Sequence, residues 1–377
     1  MAGTRKIPIL LHMGMAAMGL AENPITRGET LSDDFWHDSD EGQVITANME
    51  KTLRGLQKYI SCAARSREEP EILWQEGETR LRVFSNPKAH YRMLIIPSLI
   101  NGYEILDIHP ERSFARYFSH NFEVMIVEWG DLKQDSALQS FETILTKRMG
   151  AIMQFLNKDD RPMVGVGYCM GGILLAATDI LYPKAFQALS FIATPWDFKQ
   201  NVVGNFAEHL LNWAETGIDK MRAIDYVPAD WLQMIFMGVE PSQIARKFSA
   251  FHDMPEGDIQ TEIFIAVEDW LNGGADIPSS LLLTSVIEWY QQNLIYKGKW
   301  MCAGHKIAAS SIQKPCHVIV PKRDRIVPYN AALALVQQLP NGTLLETDGG
   351  HISLMISKAA REAIWKPLEI FLIDALR

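Results

Sequence analysis

Cysteine is scarce in this chain, and so are runs of like charge and long apolar stretches. Only Cys62, Cys169, Cys302 and Cys316 occur in 377 residues. Four cysteines so scattered build no disulfide framework. No CxxC pair exists and Cys316-His317 lacks a second pair, which argues against structural zinc. This usage suits a reducing compartment, so a cytoplasmic location is expected. Net charge is −9 and no lysine- or arginine-rich run interrupts the acidic balance. Nucleic acid is therefore excluded as an expected partner, and the acidity is read as solubility. No apolar run reaches bilayer length. The nearest is IPILLHMGMAAMGLA after Arg5 and Lys6, broken by His12. It reads as a hydrophobic helix that packs on the core or lies on an apolar surface. A secretory signal is the lesser alternative, its cleavage site after Ala21 being weak. Internal repeats and low-complexity linkers are also missing.

What is present is a large apolar fraction, 47% against 21% charged, enough for a sizeable core. The stretch NMEKTLRGLQKYISCAARS spaces Leu53, Leu56, Tyr59 and Ile60 as a helix does. EILWQEGETRLRVF reads as a β-hairpin around Glu76-Gly77-Glu78. Strands are then expected at 92–98, 122–129, 162–168 and 186–195, separated by helices at 110–121, 136–156 and after Cys169. Alternation of this kind indicates a mostly parallel sheet with helices on both faces. Residues 200–300 break the rhythm, being rich in tryptophan, methionine and helix formers, with no convincing strand. Strands return at 314–321 and 343–348, helices at 329–339 and 357–376. The expected organisation is an N-terminal helical segment (1–66), a core in two parts (67–199 and 301–377) and a helical cap insertion (200–300). The fold class expected is α/β, of the α/β-hydrolase type.

The chemistry concentrates in Gly167-Tyr168-Cys169-Met170-Gly171. It fits the nucleophile elbow G-x-nucleophile-x-G, with an apolar strand before it and a helix after it. The glycines are needed because the nucleophile sits on a strained turn where side chains would collide. The helix N-terminus offers free N–H groups to a thiolate, and the Met170 N–H supplies half of an oxyanion hole. A small buried cysteine in a glycine-rich turn is the bland alternative, and it suits Cys62, Cys302 and Cys316 better. In such folds an acid and then a histidine follow the nucleophile, each just past a strand. HVIVPKRDRIVP supplies Asp324 and TLLETDGGHISLM supplies His351. Of ten histidines, only His351 follows Asp324. Asp348 is a rival carboxylate but sits at the end of the same strand. The second oxyanion donor is expected in the loop IIPSLINGYEILD, with the Ile100 N–H preferred and Leu99 and Asn101 as rivals. Trp213, Trp231, Phe236, Trp270 and Trp289 are candidates to line an apolar channel, although each is individually more at home in the core of the insertion.

These segments resemble the polyhydroxyalkanoate synthases. The resemblance is carried by PSLINGYEILDIHPERSFARYF, FEVMIVEWG, GYCMGG, ATPWDF, DRIVP and GGHI in that order, from about residue 70 to the C-terminus. The resemblance implies a triad of Cys169, Asp324 and His351 acting on 3-hydroxyacyl-CoA, with CoA thioester as substrate and no cofactor or metal. It implies a growing polyester chain and the polymer granule surface as partners, and leaves open a homodimer or a separate partner subunit. In length the chain is closer to the short catalytic subunits than to the large synthases with a long N-terminal domain.

Sulfur suits such a synthesis. Attack of a thiolate on acyl-CoA exchanges one thioester for another, so the bound acyl group keeps its activation. Transfer to an alcohol is then downhill, provided water is excluded. A thioesterase, esterase or depolymerase on the same fold is the competing expectation, and a non-catalytic scaffold on a granule or membrane is the third.

Overall fold

Apolar runs buried on both faces make the strands of the main sheet. In the computed structural model, residues 40–63, 67–200, 217–238 and 242–377 are described. Eight strands line up in one sheet: β1 Glu71–Glu76, β2 Thr79–Phe84, β3 Tyr91–Ile96, β4 Phe122–Glu128, β5 Met163–Tyr168, β6 Ala188–Ile192, β7 Cys316–Pro321 and β8 Gly342–Thr347. Their order across the sheet is β1-β2-β4-β3-β5-β6-β7-β8. Strands β3 to β8 are mutually parallel. The hairpin β1–β2 joins antiparallel to β4. The central strand β5 is buried at every residue, which is why it reads as an unbroken run rather than an alternating one. Of the edge strands, β1 is mostly exposed and β8 is exposed at half of its residues.

Each expected strand is present within a few residues of its expected bounds. The helices differ more. The stretch expected as a helix at 110–121 holds only Phe114–Phe118, after the short antiparallel pair Asp107–His109 and Arg112–Ser113. Residues 136–156 form a broken series, with a π turn at Ile144–Arg148 before the α-helix Met149–Leu156.

The chain divides into two compact units. The sheet and its helices form one, comprising Glu68–Ala229 and Gly273–Arg377. In the other, the helix Asp40–Ser61 groups with Asp230–Asn272. Its core is Leu56, Tyr59, Ile244, Phe248, Phe251 and Ile265. At Gly55 a methyl group would collide with the Phe248 carbonyl, so the helix Asp40–Ser61 meets the helix Ser242–Asp253 backbone to backbone. Tyr59 donates its hydroxyl to Asp269 at 2.6 Å.

The segment 200–300, expected as one insertion, is therefore shared between the units. Within the sheet-bearing unit, Tyr226–Val227 pairs with Ile277–Pro278 as a two-residue ribbon. That is too short to leave any period in the sequence. Trp289 is buried against Phe141, Phe198 and Trp300, so it belongs to a core. Trp231 is 38% exposed. Trp213 and the apolar N-terminal run lie outside the described residues. No helix among the described residues is long and apolar enough to cross a membrane.

Candidate active site

Strand β5 ends at Tyr168, and the next residue turns sharply into the helix Met170–Leu181. Cys169 occupies that turn with φ 56° and ψ −129°. A non-glycine residue at positive φ stores about 1–3 kcal/mol, and such strain persists only where the surroundings over-determine it. They do so here. The Cys169 N–H donates to the Ile192 carbonyl at the end of β6, at 2.9 Å. A side chain at Gly171 would strike the Ile96 carbonyl, and one at Gly167 would strike the backbone of Gly172. The helix thus starts pressed against the ends of β3 and β5, with its unbonded first N–H groups beside the sulfur.

His351 and Asp324 come from the loops after β8 and β7. These loops are laced together: the Arg323 N–H donates to Gly349 at 3.1 Å and its Nε to the Asp348 carbonyl at 2.6 Å. Asp324 Oδ1 accepts the N–H groups of Ile326 and Val327, both at 2.9 Å. Its Oδ2 lies 2.6 Å from His351 Nδ1. Both side chains are buried. The rival Asp348 contributes its carbonyl to Arg323 instead. With Nδ1 on Asp324, the other ring nitrogen is left for the elbow thiol, whose charge lies near enough to act on the imidazole. Burial disfavours a charged imidazole, but the neighbouring Asp324 and Cys169 outweigh it and hold His351 well above the usual histidine range.

Two tyrosines that the sequence did not single out stand at the site. Tyr168 sends its hydroxyl to the His351 carbonyl at 3.3 Å, and the two rings lie 5.2 Å apart. Burial first, then the nearby charges of Cys169 and Asp324, keep that phenol protonated. Tyr290 is also close enough to Cys169 to feel its charge. Neither has a motif of its own. Tyr168 comes with the elbow itself, as the residue before Cys169, and meets His351 only through the fold; Tyr290 comes from a segment distant in the sequence.

The loop expected to supply the second oxyanion donor is held by three hydrogen bonds. The Ile100 N–H is occupied, donating to Ser98 Oγ at 3.2 Å. The Ile100 carbonyl accepts from the Ala275 N–H at 3.2 Å, and Trp129 Nε1 donates to the Pro97 carbonyl at 3.2 Å. Leu99 is buried, and its N–H donates no bond among the described residues. Of the two amides, the Leu99 N–H is therefore the one without a protein acceptor among the described residues. Among the described residues, no group of three or more His, Cys, Asp or Glu side chains is arranged to hold a metal ion. None of the four cysteines forms a disulfide.

Comparison with known proteins shows what the chain is similar to. A poly(3-hydroxyalkanoate) polymerase subunit PhaC from Haloferax mediterranei is 23% identical over 308 residues, covering 78% of this chain and 62% of that protein. The subunit of the same description from Synechocystis sp. is 23% identical over 301 residues, covering 76% of this chain and 79% of its own length. In sequence the chain is similar to poly(3-hydroxyalkanoate) polymerases. Its match spans less than two thirds of the Haloferax relative's length. No family model matches the chain. Among solved structures, MenH from S. aureus superposes with a TM-score of 0.50 at 13% identity, covering 79% of this chain and 99% of that one. The fold is that of the α/β-hydrolases, as the strand order and the elbow at β5 require. The polymerase relatives and this fold agree with the resemblance carried by GYCMGG, DRIVP and GGHI.

Proposed function

We propose that the chain is an acyltransferase that polymerises 3-hydroxyacyl groups from CoA thioesters through a covalent thioester on Cys169. The observation that carries this is a cysteine on the strand-to-helix elbow whose charge acts on a buried imidazole that a buried carboxylate holds at 2.6 Å. Relatedness to the polymerases supplies the substrate class.

In this reading Cys169, His351 and Asp324 act as a triad. His351 takes the thiol proton, and Asp324 fixes the ring so that its free nitrogen faces sulfur. The thiolate attacks the acyl carbonyl. The N–H groups of Met170 and Leu99 receive the oxyanion. The carbon–sulfur bond to CoA breaks, and the CoA sulfur leaves with the proton from His351. His351 then takes the proton of an incoming alcohol, either the end of a growing chain or a monomer. A carbon–oxygen ester bond forms, the bond to Cys169 breaks, and the proton returns to sulfur. The reaction needs no cofactor or metal. The enzyme would work in the cytosol at the surface of the growing polymer, as a homodimer or with a separate subunit.

The test is incubation with 3-hydroxybutyryl-CoA, following CoA release and product together. Polymer with CoA release is the expected result. Free hydroxy acid without polymer would assign the site to hydrolysis instead. Absence of any acyl adduct on Cys169 by intact mass overturns both.

A further inference from the structure

His351 follows Gly349 and Gly350, residues of the freest backbone, so its loop needs other means to fix the imidazole. The carbonyls of 348–351 provide them. Arg323 takes two, its Nε donating to Asp348 at 2.6 Å and its N–H to Gly349 at 3.1 Å. Ser353 Oγ donates to the Gly350 carbonyl at 2.7 Å. The fourth carbonyl, that of His351 itself, accepts the Tyr168 hydroxyl at 3.3 Å. The first three are held by the loop after β7 and the residues that follow the histidine. The last is held by the residue that precedes the nucleophile.

Tyr168 therefore ties the elbow to the base. Its ring and the imidazole lie 5.2 Å apart and 33° from parallel, and the two residues are 3% and 9% exposed. The hydroxyl bond is longer than the usual O–H···O of about 2.8 Å, so the ring contact is the larger effect. When the thiol proton passes to His351, a cation forms beside that ring. A cation within about 6 Å of an aromatic centroid is drawn to the negative face of the ring, and more strongly out of water.

We propose that Tyr168 is a positioning residue whose ring braces the imidazole of His351 and favours the imidazolium that pairs with the Cys169 thiolate. The inference rests on the acyl-transfer reading, in which His351 is the base for Cys169. The charges that act on His351 are those of Asp324 and Cys169, and substituting Tyr168 alters neither. Arg323, Arg325 and Asp348 on the two loops are exposed, where solvent screens them.

The experiment follows alkylation of Cys169 by iodoacetamide against pH, read by peptide mass, beside single-turnover acylation by 3-hydroxybutyryl-CoA. Wild type should alkylate with a midpoint below the ordinary thiol value of about 8.5. Tyr168→Leu should raise that midpoint by about half to one pH unit and slow acylation about three- to tenfold. The half-saturating thioester concentration should change by less than about twofold, since the ring acts through His351 and not on the substrate. Tyr168→Phe keeps the ring and should return the midpoint to within about 0.3 pH unit of wild type. Tyr168→Met repeats the aliphatic arm if Tyr168→Leu does not fold. An aliphatic variant with the wild-type midpoint, or Tyr168→Phe with a midpoint as high as theirs, would overturn the assignment. Loss of the fold in both aliphatic variants would make the ring structural and overturn it too, as would an ordinary midpoint in a wild type that still takes up acyl groups. If wild-type Cys169 takes up no acyl group, the acyl-transfer reading falls, and this inference with it.

Discussion

In the proposed mechanism Cys169, His351 and Asp324 divide the work at the residue scale, and their substitutions should separate. Cys169→Ala removes the atom that bonds the acyl group, so intact mass should show no adduct while the circular dichroism spectrum is unchanged. Asp324→Asn keeps the shape but loses the charge that favours imidazolium and the acceptor for His351 Nδ1. Acylation should slow by roughly 10³–10⁴-fold, the scale of triad carboxylate losses. A loss under about tenfold would mean that Asp324 is not the partner that matters. Ser98→Ala bears on the oxyanion loop. It frees the Ile100 N–H and removes one partly buried hydrogen bond, lowering stability by about 1 kcal/mol. With Leu99 as donor, the acylation rate stays within about threefold; a large rise would return the role to Ile100.

At the scale of elements, β7 carries a titration unconnected with catalysis. His317 is buried in that strand with Nδ1 on Thr343 Oγ1 at 2.9 Å and its ring stacked on Phe371. Burial lowers its pKa from 6.5 to about 4. Between those values the unfolded chain binds a proton that the folded strand refuses. Stability therefore falls as pH drops from about 6.5 towards 4, by about 2 kcal/mol between pH 7 and pH 5. His317→Phe keeps a ring against Phe371 and should remove that slope from denaturation midpoints; an unchanged slope would refute it. The elements also show what a sequence encodes locally. Strands buried on both faces are continuous apolar runs, so β3, β5 and β7 were legible, and the elbow glycines marked Cys169. His351 and Asp324 were legible because each follows a strand in a fixed order. Tyr168, Tyr290 and the Ser98–Ile100 bond were not, since each role depends on side-chain placement or on a meeting of segments far apart in the chain. The π turns at Ile144–Arg148 and Ser285–Gln291 insert a residue per turn, which blurs the helical period that would have located them.

At the scale of the whole molecule, the division into two units was hidden from the sequence for the same reason. Composition set 200–300 apart as helical, but the grouping of 230–272 with Asp40–Ser61 comes from a contact across almost two hundred residues. Gly55 is its narrowest point. Because a methyl there would run into the Phe248 carbonyl, Gly55→Ala must push the helices Asp40–Ser61 and Ser242–Asp253 apart. That loosens a core centred on Leu56, Tyr59 and Phe248, and overpacking of this kind costs about 1–3 kcal/mol. Cys169, Asp324 and His351 belong wholly to the other unit, whose sheet and buried helix Met170–Leu181 carry their own core. If each unit is a separate cooperative element, hydrogen exchange in Gly55→Ala should accelerate across 40–61 and 242–253. Amides of 163–181 should keep their protection, and Cys169 should still accept an acyl group. Exchange that rises in parallel over both regions would mean that the two units unfold as one.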